Sequence, residues 1–325
     1  MRAIRVSRTG GPEVLEGCEL SDPQPSAGEL LLEVTAVGVN YIDVYRRTGL
    51  YPVPLPSVPG TELSGTVLAV GPGVKDFSPG DRVATLDARG AYAERSIVRA
   101  DRAVHVPQAV SPDVAAAVMM QGLTAHYLVT DTFPLRAGQR CLIHAAAGGV
   151  GLLLVQLARR IGAEVFATVG SEAKVQAARG AGAHHVIVTA DEDFTTAVEA
   201  IAGKRPLDVV YDGVGRATFA GGLAVLRPRG MMVTFGNASG PVDPVNLFDL
   251  TAAGSLFLTR PSVSHYIATT PELRERAEAV LGLVADGALD VRIGTRLPLD
   301  QAAEAHRRLE SRETSGKVIL IPNGA

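Results

Sequence analysis

The sequence predicts an α/β protein with a doubly wound parallel sheet and a second, smaller β-rich lobe. Its 325 residues exceed the size at which one hydrophobic core keeps growing, so two lobes are expected. Short apolar segments separated by Gly and Pro fill the N-terminal part of the chain, which is typical of strands. From about Asp113, strand-like and helix-like segments alternate, which is typical of an α/β domain.

Four strands are predicted in the N-terminal part of the chain. They are Leu30–Val39, Ser64–Val70, Asp81–Leu86 and Ala91–Val98. Turn-forming residues separate them at 71–73 (GPG) and 79–81 (PGD). This pattern predicts a small, closed or partly open β-barrel.

The middle of the chain starts with an Ala-rich predicted helix over 113–130. The strands predicted after it are Arg140–Ala146, Glu164–Val169, His185–Val188, Leu207–Asp212 and Gly230–Phe235. The intervening helices are predicted at Gly149–Ile161, Ser171–Ala181, Asp193–Ala202 and Gly215–Leu226. Strands and helices alternating at this spacing predict a parallel sheet covered on both faces.

The C-terminal segment is too small to fold alone, and we expect it to return to the N-terminal lobe. It contains a predicted helix at Glu272–Ala285, a short segment at Val291–Leu297, a helix at Leu299–Glu310 and a last strand at Lys317–Ile321.

Charge and composition argue against several classes of partner. The net charge of −3 and the absence of basic runs make nucleic acid an unexpected ligand. No stretch of about 18 apolar residues and no signal-peptide pattern is present, so no membrane attachment is expected. Cys18 and Cys141 form no C-x-x-C pair, which excludes a disulfide framework and predicts the reducing cytoplasm.

A glycine-rich turn, HAAAGGVG at 144–151, lies where a predicted strand meets a predicted helix. It reads A-x-G-x-x-G, with Ala146 in the place of the first glycine of a dinucleotide fingerprint. Gly148 would let the backbone approach a pyrophosphate, and Gly151 would let the helix pack on the strand. Gly149 and Val150 would offer N–H groups at the helix start. The alternative is a tight turn in an unrelated α/β sheet.

The end of the next strand predicts which coenzyme is bound. An NAD site commonly has Asp or Glu there, whereas this chain has Gly170 followed by Ser171 and Lys174. Ser171 and Lys174 can bind a 2′-phosphate, so NADPH is the predicted cofactor. Glu172 is the contrary observation, and we interpret it as a first-turn acid of a helix capped by Ser171.

Together with HAAAGGVG, several longer segments resemble the zinc-free, ζ-crystallin-like quinone oxidoreductases of the medium-chain dehydrogenase superfamily. They are VGVNYIDVYRRTGLYP (37–52), LDVVYDGVG (207–215), MMVTFGNASGPVDPVNL (231–247) and SLFLTRPSV (255–263). The resemblance implies a GroES-like β domain at residues 1–118 and 263–325 and a Rossmann domain at 119–262. It also implies that NADPH lies between them and that the chain forms a homodimer through an edge segment, 255–258.

The same resemblance implies the site residues. Those expected near the nicotinamide and substrate are Asn40, Tyr45, Tyr51 and Thr124, with Asp43 orienting their loop. Those expected to line the cofactor are Tyr127, Phe235, Gly236, Asn237, Arg260 and Pro261. Arg312 matches an arginine of the 2′-phosphate clamp, and Thr189 stands where the bacterial pattern has an aromatic residue.

No metal site is predicted. Zinc-dependent relatives have a Cys in the segment that matches 38–40, a Gly-His-Glu where this chain has Gly60-Thr61-Glu62, and a later Cys near Gln121. Zinc needs about four N, O or S ligands, and Glu62 alone cannot supply them. Without a Lewis acid, a quinone or conjugated enone is a better hydride acceptor than a simple ketone, because its developing charge is delocalised.

Three functions therefore remain at this point. The first is an NADPH:quinone reductase that transfers reducing equivalents without metal or flavin. The second is an NADPH-dependent enone or 2-alkenal reductase, with Tyr45 or Tyr51 as proton donor. The third is a non-enzymatic, ζ-crystallin-like protein that binds the cofactor or RNA.

Overall fold

The computed structural model describes residues 1–322, which divide into two compact units. Unit 1 contains Met1–Leu123 and the chain from Ile267 onward, and unit 2 contains Thr124–Tyr266. The predicted domain boundaries, after residues 118 and 262, lie a few residues before these divisions. Among the helices of the described residues, none is long and apolar enough to cross a membrane.

Unit 1 is dominated by β-structure. Its strands are β1 (Arg2–Arg5), β2 (Glu16–Glu19), β3 (Glu29–Val39), β4 (Glu62–Val70), β5 (Arg82–Thr85), β6 (Arg95–Arg99), β7 (Val104–His105), β14 (Ile293–Pro298) and β15 (Lys317–Ile321). Its helices are α1 (Tyr41–Thr48), α8 (Thr270–Ala285), α9 (Ala302–Glu310) and most of α2 (Pro112–Tyr127).

The main sheet of unit 1 brings both ends of the chain together. Its strand order is β14-β15-β3-β4-β5-β7, with β6 also paired to β3. β15 runs antiparallel to β3, so Val318 lies opposite Val39. The C-terminal segment thus returns to the N-terminal strands, as expected from its size. Leu30, Leu63 and Leu320 are among the buried side chains that form the core.

Unit 2 is a parallel sheet flanked by helices, which confirms the predicted α/β class. Its strands are β8 (Arg140–Ile143), β9 (Glu164–Val169), β10 (His185–Val188), β11 (Leu207–Asp212), β12 (Leu226–Thr234) and β13 (Phe257–Thr259). Its helices are α3 (Gly149–Ile161), α4 (Val175–Gly180), α5 (Phe194–Ala202), α6 (Phe219–Val225) and α7 (Leu247–Ala252). The order β10-β9-β8-β11-β12-β13 reverses direction at β8, as in doubly wound folds.

Three predicted strands are too long, of which the one at Asp81–Leu86 exceeds β5 by only one residue at each end. The segment predicted at Ala91–Val98 forms a strand only from Arg95, because the N–H groups of Ala91 and Tyr92 bond to the loop carbonyls of Gly60 and Pro59. The strand predicted at Arg140–Ala146 ends at Ile143, because the chain then turns through a positive φ of 52° at Ala145.

Three predicted helices are shorter or less regular. The segment predicted at 171–181 is a 3₁₀ turn, Glu172–Lys174, followed by α4. α6 starts at Phe219 rather than Gly215, whose φ of 92° is incompatible with a helix. The helix predicted from Leu299 begins with a 3₁₀ turn before α9.

Several elements were not predicted, most notably α1. The Asp43 carboxylate accepts from the Asn40 backbone N–H at its start, and Gly49 ends it with a φ of 84°. The N-x-x-D spacing is a capping pattern that could have indicated this helix. β1, β2, β7 and α7, which are all short, were not predicted either. β13 overlaps the edge segment predicted at 255–258.

Candidate active site

The glycine-rich turn of unit 2 connects β8 to α3. Ala145 has a left-handed backbone, and Gly148 N donates to Ala145 O at 2.9 Å to close the turn. Gly148 then caps α3 with an extended backbone and no side chain. The left-handed residue is Ala145, whereas the sequence motif lacks its first glycine one residue later, at Ala146.

The turn has the features that a pyrophosphate requires. The N–H groups of Gly149, Val150 and Gly151 have no acceptor among residues 1–322, as expected for the first turn of a helix. A Cβ on Gly151 would lie 2.4 Å from Ala145 O, whereas one on Gly148 would meet that oxygen at 3.2 Å. Gly151 is therefore needed for packing, and Gly148 leaves the approach to the helix start open.

The end of β9 has no carboxylate and no steric obstacle. A Cβ on Gly170 would meet nothing within 4 Å. Ser171 occupies the N-cap of the 3₁₀ turn Glu172–Lys174, as predicted, but its side chain makes no capping hydrogen bond. The Thr189 hydroxyl donates to Val169 O at 3.2 Å, which ties this residue to the end of β9.

The segment after β12 is held by backbone contacts and by one arginine. Arg260 donates to Thr234 O at 3.0 Å. Because a guanidinium group can only donate, we assign the Asn237 amide with its oxygen toward Arg260, at 3.1 Å. Gly236 packs so closely that a Cβ would lie 2.3 Å from Gly213 O. The structure thus brings Arg260, Gly236 and Asn237 together, with Phe235 beside them in the chain.

Two buried polar residues at the carboxyl ends of the central strands β8 and β11 were missed by the sequence analysis. Asp212 Oδ1 accepts from Val214 N (2.7 Å) and the Thr218 hydroxyl (2.9 Å) and so organises the loop after β11. His144 follows β8 and contacts the Thr168 hydroxyl at 2.9 Å. Burial lowers the pKa of His144 to about 4, an effect that Asp212 opposes. Asp212 ends a predicted strand, which was an available signal, whereas His144 lies inside the strand predicted at Arg140–Ala146.

In unit 1, the loop that carries Asn40 is fixed by buried hydrogen bonds. Asp43 Oδ2 accepts from Asn40 N at 3.0 Å, so Asp43 orients this loop. Asn40 Nδ2 donates to Gly38 O (3.2 Å) and Glu62 Oε2 (2.7 Å). Lys317 Nζ donates to Asn40 Oδ1 at 2.8 Å. Both amide hydrogens of Asn40 are therefore used inside the protein.

Three tyrosines cluster on and after α1. The rings of Tyr41 and Tyr45 lie 6.0 Å apart, and those of Tyr45 and Tyr51 lie 5.4 Å apart with an edge-to-face orientation. Tyr51 is 39% exposed. Its hydroxyl has no hydrogen-bond partner within the described part of the chain, so it can donate to a small molecule.

A buried hydrogen-bonded chain extends from Asp43 to α9. Arg47 has only donors, so its contact with His306 Nδ1 (3.2 Å) places the ring hydrogen on Nε2. Nε2 then donates to the Tyr92 hydroxyl at 3.0 Å, and Tyr92 donates to Asp43 Oδ2 at 3.2 Å. Glu310 accepts from Arg47 at 2.8 and 2.9 Å. The sequence analysis identified only Asp43 of this set.

These buried groups predict how stability depends on pH. Burial raises the pKa of Asp43 to about 6, whereas burial, assisted by Arg47, lowers the pKa of His306 to about 3. Between pH 5 and 6, unfolding takes up protons at His144 and His306 and releases one at Asp43. The free energy of unfolding should therefore rise with pH in this range, by on the order of 1 kcal/mol per pH unit, measured by urea denaturation.

Asp43→Asn provides the control for that prediction. Its amide oxygen can still accept from Asn40 N and Tyr92, and the opposing proton is removed. The slope should become roughly twice as steep, because only the proton uptake at the two histidines then remains. An unchanged slope would show that Asp43 does not titrate in this range.

The remaining predicted residues are distributed over both units. Thr124 is nearly buried in α2, and Tyr127 is buried and stacked on Tyr266 with ring centroids 4.1 Å apart. Pro261 follows Arg260 in unit 2, whereas Arg312 follows α9 in unit 1 with a φ of 60°. No group of three or more potential metal-ligating side chains is present among residues 1–322.

Two protein-family models match the chain. The model described as an alcohol dehydrogenase GroES-like domain covers residues 26–108, and the one described as a zinc-binding dehydrogenase covers residues 149–286. Together they account for most of the chain and correspond to a GroES-like and a Rossmann-like domain.

Individual relatives match over nearly the whole length. Quinone oxidoreductase 1 of Escherichia coli is 44% identical over 323 residues, which cover 98% of this chain and 99% of that protein. A 2-haloacrylate reductase of Burkholderia is 40% identical and covers 98% of both chains. The crystal structure of E. coli quinone oxidoreductase complexed with NADPH matches with a TM-score of 0.97 and 44% identity, covering 99% of this chain and 100% of that one. The chain belongs to the quinone oxidoreductase family of the medium-chain dehydrogenase/reductase superfamily.

Proposed function

We propose that this protein is an NADPH-dependent quinone reductase. The observation that carries the proposal is the free first turn of α3 behind Gly148, beside a β9 end that has Gly170 where an NAD site has a carboxylate. Similarity to a quinone oxidoreductase solved with NADPH supports the same coenzyme and acceptor.

Each half of the coenzyme has suitable residues. The N–H groups at 149–151 would bind the pyrophosphate, and Ser171 and Lys174 would bind the 2′-phosphate. Arg260 and Asn237 hold the segment expected to line the nicotinamide. When bound, NADPH supplies the reducing equivalents.

On the acceptor side, we propose the Tyr51 hydroxyl as a donor, because it has no hydrogen-bond partner among residues 1–322. A flat acceptor can pack against the rings of Tyr45 and Tyr51 and accept a hydrogen bond from this phenol. Tyr51→Phe should lower kcat for quinones several-fold with the KM for NADPH unchanged, as measured in steady-state assays. Wild-type turnover with every quinone would exclude this role.

We further propose that the reaction proceeds without a metal ion. Glu62 Oε2 accepts from Lys317 and Asn40, and Oε1 accepts from Met120 N at 2.6 Å. A carboxylate already bound to an ammonium group is a poor metal ligand. Elemental analysis of the purified protein should find less than stoichiometric zinc, and dialysis against a chelator should leave its activity unchanged.

The second candidate function is an NADPH-dependent reductase of conjugated enones, which the similarity to a 2-haloacrylate reductase favours. Steady-state assays with 1,4-naphthoquinone and with a crotonaldehyde-type enone separate the two. We expect a higher kcat/KM for the quinone. A kcat/KM for the enone that is larger by orders of magnitude would replace the first proposal with the second.

Lys174→Ala tests the coenzyme assignment directly. We expect the KM for NADPH to rise at least about tenfold, because an ammonium group that neutralises the 2′-phosphate is lost. The KM for NADH should stay near the wild-type value, because NADH has no 2′-phosphate. Equal effects on both coenzymes would remove Lys174 from the proposed clamp.

We also propose a homodimer formed by unit 2. β13 is an edge strand, and Phe257 on it is 59% exposed. Phe248 of the neighbouring α7 is 81% exposed, and such apolar side chains favour burial against a second copy. Phe257→Glu should therefore shift the protein toward a monomer in analytical ultracentrifugation.

The cytoplasm is the compartment we propose, since Cys18 and Cys141 are free thiols. RNA is not a proposed partner, because the chain is acidic overall. A salt-dependent gel shift on AU-rich RNA that is insensitive to NADPH would instead support the non-enzymatic alternative.

A further inference from the structure

A lysine and a glutamate form an ion pair that is completely buried in unit 1. Lys317 Nζ lies 2.5 Å from Glu62 Oε2, and neither side chain has any exposed surface. Lys317 is the first residue of β15, and Glu62 is the first residue of β4. Both strands pair with β3, so the ion pair lies across three adjacent strands.

Burying this ion pair costs desolvation free energy, so a gain in stability is not a sufficient reason for its presence. Removing two charges from water is expensive, and a buried ion pair is often no more stabilising than apolar residues of the same volume. The backbone is also adapted to it. A Cβ at Gly38 would lie 2.1 Å from Glu62 Oε2 and 2.6 Å from Ala116 O, so only glycine leaves room for the carboxylate.

What the pair does determine is the orientation of the Asn40 amide. An ammonium group only donates and a carboxylate only accepts, so Lys317 must face Oδ1 and Glu62 must face Nδ2. The observed distances, 2.8 and 2.7 Å, satisfy both requirements. Rotating the amide by 180° would oppose donors with donors and acceptors with acceptors.

The orientation of Asn40 is connected to the start of α1. Asn40 is the N-cap of this helix, and its backbone N–H donates to Asp43 Oδ2. Tyr45 follows one turn later on α1, and Tyr51 N donates to Tyr45 O at 3.0 Å. The ion pair, the cap and the tyrosines therefore form one connected structure.

We propose that Lys317, paired with Glu62, is a positioning residue for the reduction. Its ammonium group fixes the Asn40 amide, and through Asn40 it fixes the start of α1 that presents Tyr45 and Tyr51 to the acceptor. Lys317 has no exposed surface and does not touch the acceptor itself. The inference rests on the proposed quinone reductase function.

The experiment removes the two charges separately and together. Lys317→Met leaves a buried carboxylate without its cation, and Glu62→Gln leaves a buried ammonium without its anion, so each should lower Tm. The double variant contains neither charge and should recover most of the wild-type Tm. Because the amide that Glu62→Gln introduces can both donate and accept, it no longer fixes the orientation of the Asn40 amide.

We expect the folded double variant to bind NADPH like the wild type. Its kcat/KM for 1,4-naphthoquinone should be at least about tenfold lower, since small misplacements of acceptor-binding groups are costly. Asn40→Ala should reproduce this loss, and adding it to the double variant should cause no further loss, because both act through the same contact. Arg296 lies on β14, which neighbours β15, and forms a partly exposed ion pair with Asp113. Arg296→Met removes this pair and, as the control, should behave like the wild type.

Each outcome decides the question. A double variant with restored Tm and wild-type kcat/KM for the quinone would show that the pair is only structural. If the double variant does not fold, Asn40→Ala alone decides: its Lys317–Glu62 pair is intact, and wild-type quinone kinetics would overturn the proposal. A wild-type protein that reduces no quinone would instead refute the proposed function, whatever the variants do.

Discussion

Gly151→Ala should destabilise the protein by about 3 kcal/mol, because its methyl group has no room. The new Cβ would lie 2.4 Å from Ala145 O and 2.7 Å from Ala146 Cα. Both are backbone atoms, so no side-chain rotation relieves the contact. α3 would have to move away from β8, which also displaces the N–H groups that we assign to the pyrophosphate. Urea denaturation measures the first effect, and titration calorimetry with NADPH measures the second.

Gly148→Ala is the matched control because it separates packing from coenzyme binding. Its Cβ would meet only Ala145 O, at 3.2 Å, and the φ of −76° suits any residue. The stability should change by about 1 kcal/mol or less, close to the value of an ordinary N-cap substitution. NADPH affinity should nevertheless fall about tenfold, because the methyl group projects where the phosphates approach. Wild-type affinity in this variant would mean that the pyrophosphate lies elsewhere.

Gly170→Asp should lower kcat/KM for NADPH by at least about 100-fold. Like charges about 4 Å apart repel by about 4 kcal/mol at an effective dielectric constant of about 20, and the 2′-phosphate is expected at this distance from the end of β9. The new carboxylate can accept a hydrogen bond from the ribose 2′-hydroxyl of NADH, so kcat/KM for NADH should rise. Steady-state kinetics with both coenzymes measure this reversal.

The position is well suited to the test because a side chain at Gly170 meets nothing within 4 Å. Gly170→Asn has the same size without the charge, and it should lower kcat/KM for NADPH far less than the aspartate does. Equal losses in the two variants would indicate a steric cause and would contradict the assignment of the 2′-phosphate to this strand end.

Local patterns predicted much of unit 2. The bounds of α3, β9, β10 and β11 are those predicted, since each segment carries a complete apolar pattern between clear turn residues. The glycines at 148 and 151 lie in the predicted turn between β8 and α3. The predicted bounds were wrong where the sequence pattern of a strand or helix continues but the backbone turns through a positive φ, as at Ala145 and Gly215.

Unit 1 was less predictable because its important contacts join distant parts of the chain. Lys317 is 277 residues from Asn40 and 255 residues from Glu62. His306 contacts Tyr92 across 214 residues, and no local pattern indicates such a pair. Asn40 was expected to face the substrate, whereas the structure uses both of its amide hydrogens internally. Whether it also contacts a substrate stays a prediction.

By itself, the sequence determined the fold class, the glycine-rich turn and the missing carboxylate after β9, because hydrophobic periodicity and short motifs act through neighbouring residues. Only the tertiary structure decided the partners of the buried charges and the orientation of Asn40. Those depend on β15 pairing with β3, and strand pairing places residues side by side without regard to their distance in the chain.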